Sequence, residues 1–309
     1  MEDRRHSLVL SDTLPVNARL SASARFVPVV ATAVLVFGAA AASAHDFWLV
    51  PNAFQLAVGE TVTVHGQTSS KFPTTESAVA TERVADATLI GATGEVRISD
   101  LSIADKSLRL RVRPGAAGQY LVAATLHWRS MRESAASFRR YLELEGAPSA
   151  LERIDREGLL AGRDSLTRRY AKYAKTLVHV GKDGGRAFSR IAGHPLEFIP
   201  MADPAALRAG DTLPLRLQFL GRPAAGARIH AGAVHWTGSR SDSPDVHEAA
   251  KDVELVSDAD GIVRVPISAD GLWNVRTIQI TQSPSGANAD WDAHWATLVF
   301  LVFGVATRH

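Results

Sequence analysis

Apolar and polar positions alternate along this chain in short runs broken by glycine, proline and acidic turns, a pattern that predicts a protein built mainly of β-strands. Phe47-Trp48-Leu49-Val50 is a continuous apolar run closed by Pro51-Asn52. Phe54, Leu56 and Val58 then alternate with Gln55 and Ala57, and Gly59-Glu60 turns the chain into Thr61–Val64. His65 follows Val64 and opens a polar, loop-like stretch that runs to Pro73. Further strands are expected around residues 83–90, 95–98, 108–112 and 118–128, punctuated by Gly91, Gly94 and Pro114-Gly115. Strands this short and this closely spaced imply sandwiches rather than a parallel α/β sheet.

The period changes at Arg132. Residues 134–175 have helical composition, with Phe138, Tyr141, Leu142 and Leu144 near helical spacing and Leu166, Tyr170 and Tyr173 extending it. Two or three helices inserted into a β domain are expected. The basic cluster Arg163, Arg168, Arg169, Lys172 and Lys175 reads as a solvated helical face paired with Glu143, Glu145, Glu152 and Glu157. Strand character resumes at 176–181 and again after Pro195–Pro200, with runs near 213–220, 227–236, 262–267, 271–275 and 297–305. Asp258-Ala259-Asp260-Gly261 is a hairpin-type turn, and 239–244 a polar loop. The predicted architecture is therefore two β-sandwich domains of immunoglobulin or transthyretin type. The first covers 45–195 with a helical insertion around 134–175, and the second covers 196–309.

The first 44 residues break this pattern. Arg4, Arg5, Arg19 and Arg25 precede an apolar run from Phe26 to Ala42, and Ala42-Ser43-Ala44 gives the small-x-small pattern of a signal-peptidase site. The competing reading is an uncleaved anchor, since the run approaches the ~20 apolar residues a span requires. Small residues at its end favour cleavage after Ala44, which makes His45 the first residue of an exported, periplasmic chain. Without the four basic and three acidic residues of that segment, the remaining 265 residues carry 30 basic and 29 acidic side chains. That balance leaves no electrostatic footprint for nucleic acid or an anionic membrane. The chain has no cysteine, so a metal would be held by His, carboxylate or amine groups.

Candidate chemistry centres on His45. A free α-amine and an imidazole on one residue chelate a metal together, and a second imidazole would complete a site suited to Ni(II) or Cu(II). His127, next to Trp128 at the end of a strand, and His65 rank first as partners because they share the predicted first domain. Asp46 would ligate the metal or hydrogen-bond a ligating ring. His179, His230, His235 and His294 show no helical zinc-protease spacing. No nucleophile elbow, phosphate-binding loop or dinucleotide fingerprint occurs in the sequence, and no enzymatic activity is expected.

A set of landmarks in fixed order adds to this reading. They are His45-Asp46-Phe47-Trp48-Leu49, Tyr170-Ala171-Lys172-Tyr173-Ala174-Lys175-Thr176-Leu177, Pro195–Pro200, Ala209–Pro214 and Asp290-Trp291-Asp292-Ala293-His294-Trp295-Ala296-Thr297-Leu298. Together they resemble the exported family labelled nickel/cobalt uptake periplasmic component (NikM-like). The resemblance covers nearly all of the chain after residue 44. It implies a periplasmic protein associated with transition-metal import, with nickel or cobalt as the metal and a membrane uptake permease as candidate partner, while the donor chemistry of His45 keeps copper open as well. The family's N-terminal motif maps onto His45 and Asp46. Two other classes remain in view. One is a non-metal protein- or glycan-binding module using Trp291 and Trp295 as a surface, and the other is a copper-dependent oxidase built on the same terminus.

Overall fold

The apolar run at the start of the chain becomes β1 (Asp46–Pro51), buried along its whole length. The computed structural model describes residues 45–182, 184–236, 247–249 and 252–303. The expected signal segment 1–44, the polar loop 239–244 and the end of the closing run past Phe303 lie outside these residues. After β1 come β2 (Gln55–Leu56), β3 (Val62–Ser69), β4 (Ser77–Ala78), β5 (Val84–Ile90), β6 (Glu95–Arg97), β7 (Asp100–Ala104), β8 (Ser107–Val112) and the long β9 (Gly118–Ser134). Two helices, α1 (Ala135–Glu145) and α2 (Pro148–Glu157), lead into β10 (Ser165–Val180). The remainder is β11 (Leu196–Pro200), β12 (Thr212–Phe219), β13 (Arg222–Pro223), β14 (Arg228–His235), β15 (His247–Ala249), β16 (Val253–Val256), β17 (Ile262–Pro266), β18 (Gly271–Gln282) and β19 (Trp291–Val302).

The fold is mainly β and is built from sandwiches, as the alternation predicts. A central ten-stranded sheet runs β15-β14-β18-β19-β10-β9-β5-β6, with β16 also on β14 and β2 also on β10. Its middle is a parallel pair, β10 against β19, in register from Arg168↔Trp291 to Thr176↔Val299. A five-stranded sheet (β1, β3, β8 and β7, with β4 on β3) covers one face near β5, β9 and β10. There Phe47, Leu49, Val64 and Leu110 meet Leu89, Val122, Ala174 and Val178. A four-stranded sheet (β11, β12, β13 and β17) covers the opposite face near β14, β18 and β19. Phe198, Leu215 and Leu217 pack there on Trp273, Val275, Leu298 and Phe300. The two halves of the chain therefore share one continuous sheet and carry their covering sheets on opposite sides.

Local chemistry sets the helical insertion. Ser134 caps α1 by accepting from Ser137 N at 3.0 Å, and Gly146 ends it in the left-handed conformation (φ 70°). Pro148 occupies the first turn of α2, whose missing N–H the helix does not need. The insertion stops there. Residues 165–175, expected to be helical, form β10 instead. Both faces of this strand are buried, which hides the period of two, and a bulge between Tyr170 and Lys172 breaks the alternation further. Its cations are not a solvated helical face. Arg168 pairs with Glu133 at 2.8 Å, Arg169 binds Asp292 through two nitrogens at 2.6 and 2.7 Å, and Lys175 meets Glu197 at 2.7 Å.

The helices roof a separate apolar cluster. Phe138, Tyr141, Leu142 and Ile154 cover Trp291, Trp295, Ile278 and Ile280. Trp291 and Trp295 are 2% and 5% exposed, so the surface expected of a binding module is core, and the tryptophans are packing residues. Trp291→Ala should therefore cost about 3–5 kcal/mol, seen as a lower urea midpoint at unchanged slope. A surface platform would tolerate the change within about 0.5 kcal/mol.

Candidate functional site

β1 joins its sheet by one edge only, antiparallel to β3, with Asp46 opposite Ser69. Its other edge faces the central sheet, where side chains satisfy it. Thr297 Oγ1 donates to the Phe47 carbonyl at 2.6 Å, and Lys172 Nζ donates to the His45 carbonyl. An edge left open would expose backbone groups to unwanted pairing. The flanks of β1 are equally committed. Phe47 and Leu49 enter the first sandwich core, whereas Trp48 and Val50 pack on Val234, Leu272, Val299 and Leu301. Trp48 also donates to Gln67 Oε1 at 3.2 Å and meets the Phe72 ring edge-on. Residue 45 is thus held at a fixed point above the parallel strand pair.

At that point His45 Nε2 lies 2.8 Å from Glu76 Oε2. Glu76 is anchored in turn by the Ser69 hydroxyl at 2.6 Å and by the Ser70 hydroxyl and N–H at 2.9 and 3.0 Å. These donors, chiefly the Ser69 hydroxyl, hold the Glu76 carboxyl down at about 2, so it is an acceptor at neutral pH. The neighbouring Asp46 is buried, with Oδ2 3.1 Å from Arg276 Nε. Arg276 is shared with Asp252, whose Oδ2 lies 2.7 Å from Nη1. Burial outweighs that shared cation and pushes the Asp46 carboxyl up to about 6. Burial, and then the charge of Asp46, push the partly buried Glu145 up to about 7. Lys172 is pushed down to about 8 by the same burial.

The histidines expected to join His45 are not gathered with it into a metal-holding group among the described residues. His65 is not at the start of a loop, because β3 continues to Ser69 and buries it opposite Val50. Four strand steps, roughly 13 Å, separate that position from the level of Asp46. His127 is exposed on β9, whose ladder runs past it to Ser134, beside the bulge opposite Tyr170 and Lys172. The ring of His45 is bound to Glu76 and not to either histidine. Asp46 lies next to His45 and gives one carboxylate oxygen, Oδ2, to Arg276. Among the described residues no group of three or more His, Cys, Asp or Glu side chains is gathered to hold a metal ion. Glu76, Lys172, Arg276 and Glu145 were missed from the sequence. Only Lys172 carried a signal, a cation inside a landmark that strand pairing turns inward.

These features define a double β-sandwich protein whose first described residue is fixed by side chains from both sheets around it. Residues 42–281 match the family described as a domain of unknown function, DUF4198, and the chain belongs to that family. No curated protein matches the sequence. Among solved structures the chain is similar to a DUF4785 family protein from Legionella pneumophila, at 9% identity over 74% of this chain and 52% of that one, with TM-score 0.23. It is also similar to Salmonella alpha-2-macroglobulin reacted with methylamine (12% identity, 82% and 14% coverage, TM-score 0.21). A third is the Bacteroides ovatus glucan utilization protein SGBP-B in complex with a mixed-linkage heptasaccharide (12% identity, 72% and 50% coverage, TM-score 0.20). Superpositions this loose carry no functional argument. Among the described residues no helix is long and apolar enough to cross a membrane.

The carboxyls of Asp46 and Glu145 hold protons more tightly in the folded than in the unfolded chain. Their contribution to stability is therefore full below the ordinary carboxylate range and is lost as pH rises to about 7. Glu145→Gln removes part of that loss. Relative to the parent, the variant should gain about 1–2 kcal/mol between pH 5 and pH 8, allowing for the partial exposure of Glu145. Urea unfolding at the two pH values reads the difference, and an unchanged difference would mean that Glu145 is not part of the buried charge cluster.

Proposed function

We propose that this is a non-catalytic transition-metal-binding protein of the periplasm, working beside a membrane uptake permease, with His45 as both amino terminus and principal ligand. The single observation that carries the reading is the contact between His45 Nε2 and Glu76 Oε2. A ring whose Nε2–H is given to an ionised carboxylate presents its lone pair at Nδ1, the nitrogen nearest the residue's own amine. A carboxylate behind a ligating imidazole fixes ring and tautomer in this way in metal sites generally. Cleavage after Ala44 would free the amine, and amine and Nδ1 would close a chelate ring on one metal ion.

The donor set fits nitrogen- and oxygen-preferring ions such as Ni(II), Co(II) or Cu(II). Among the described residues no group of three or more ligating side chains is gathered here, so His45 would supply two nitrogens and the remaining positions would fall to water or to a donor from another molecule. Such an open site suits a protein that hands its metal on. Lys172 and Thr297, by holding the backbone of β1, keep the chelating residue in place without occupying its nitrogens.

Intact mass of the exported protein, followed by titration with Ni(II), Co(II) and Cu(II) salts, tests the reading. A mass beginning at His45 and one tightly held equivalent are expected. Acetylating the terminus should abolish that equivalent. Glu76→Gln should weaken it roughly 10–100-fold. Because amine and ring must shed protons, affinity should fall on acidification. A chain beginning elsewhere, or undiminished binding after acetylation, would sink the proposal.

A further inference from the structure

A second site adjoins Asp46 and shares Ser70 with the anchor of Glu76. A cavity of about 160 Å³ opens between β1, the turn after β3, and the face of β14 and β18, lined by Asp46, Lys71, Phe72, Asp252, Asn274 and Arg276 among others. It is much larger than one water requires and smaller than the roughly 300–1,000 Å³ of pockets for drug-sized ligands. The cavity owes its shape to a glycine. Gly232 stands opposite Asn274 in the β14–β18 ladder, and a Cβ there would collide with the Asp252 carboxylate.

Its polar groups are incompletely used. Asn274 is 2% exposed, yet neither its amide nitrogen nor its amide oxygen has a hydrogen-bond partner. Asp46 Oδ1 is likewise buried and unpartnered, although Oδ2 is held by Arg276. Buried polar groups left without partners are costly to the folded state. A sandwich core needs none of them, since Leu272 and Val299 fill neighbouring positions on this face with apolar side chains. Asp46 and Asn274, which carry these two unpaired acceptors and one unpaired donor, both line one cavity.

We propose that this cavity binds a small α-amino acid. The charges around it are of both signs: the carboxylates of Asp46 and Asp252, the guanidinium of Arg276 and the ammonium of Lys71. They sum to zero, which suits a zwitterion and opposes a ligand of one sign. The ammonium group donates to Asp46 Oδ1 and Asn274 Oδ1, the two free acceptors. The carboxylate accepts from Asn274 Nδ2 and lies toward Lys71, and Phe72 gives an apolar wall for a short side chain. This site uses neither nitrogen of His45 and does not depend on metal binding.

Calorimetric titration of the exported protein with glycine, L-alanine, ethanolamine and acetate, in buffer containing EDTA, tests the assignment. Glycine and L-alanine should bind. Ethanolamine lacks the carboxylate and acetate lacks the ammonium, and each should bind at least about tenfold more weakly. Asn274→Leu removes an unsatisfied buried amide, so it should melt at or above the parent temperature while weakening glycine binding roughly tenfold or more. Asp46→Asn, which keeps the shape, should weaken binding as well. No heat with either amino acid, ethanolamine binding as tightly as glycine, or full affinity in a folded Asn274→Leu protein would overturn the proposal. EDTA separates the two sites: amino-acid binding with no metal site, or the reverse, would distinguish failure of one reading from failure of the other.

Discussion

β10 is a buried strand that carries four cations, and every layer of the protein is arranged to neutralise them. A cation taken out of water costs several kcal/mol unless a partner and hydrogen bonds replace its hydration. Arg168 finds Glu133 on β9, Arg169 finds Asp292 on β19, and Lys175 finds both Glu197 and the Phe198 carbonyl on β11. Lys172 finds the backbone of residue 45 and the carboxylates of Asp46 and Glu145. One strand thereby ties together its two neighbours in the sheet, the covering sheet on one side and the first strand on the other. Glu197 extends the tie by accepting from the N–H groups of Ala192 and Gly193 at 2.6 and 3.1 Å, where the chain crosses from one half to the other.

The start of the described chain inherits its rigidity from this arrangement. β1 has three commitments: a ladder to β3, two capped carbonyls, and side chains buried in two different cores. A residue held in so many ways has little conformational freedom left to lose, which is the condition for preorganised binding. The same rigidity divides the chemistry around β1. On one flank His45 meets an anchored, ionised Glu76; on the other, Asp46 meets a cavity lined by charges of both signs. Alternation along a strand sends neighbouring side chains to opposite sides, so adjacent residues meet different partners.

The fold was largely legible in the alternation of Leu213–Leu220 and Ile262–Ile267, where one face is buried and the other wetter, and in the apolar run that opens the chain. It failed where both faces are buried. β10 reads as a helix because Leu166, Tyr170 and Tyr173 fall at helical spacing and a bulge displaces the true period. Trp291 and Trp295 were open to reading as surface because sequence does not say that α1 and α2 fold back over them. The candidate site was legible only at His45 and Asp46. Glu76, in a polar stretch without periodicity, reaches His45 because β3 turns back through β4, a consequence of pairing rather than of local sequence.

The sequence alone determined the class of fold, a helical insertion beginning at residue 134 and the buried run that opens the chain. These follow from nearest-neighbour chemistry: period, caps, turns and propensity. Only the tertiary structure decided which histidine acquires a carboxylate, that His65 lies four strand steps from the level of Asp46, and that Asp46 and Asn274 line one cavity. Those outcomes depend on strand register and on which strands lie in contact. Both are set by the summed burial of the whole sheet, so no stretch of residues encodes them by itself.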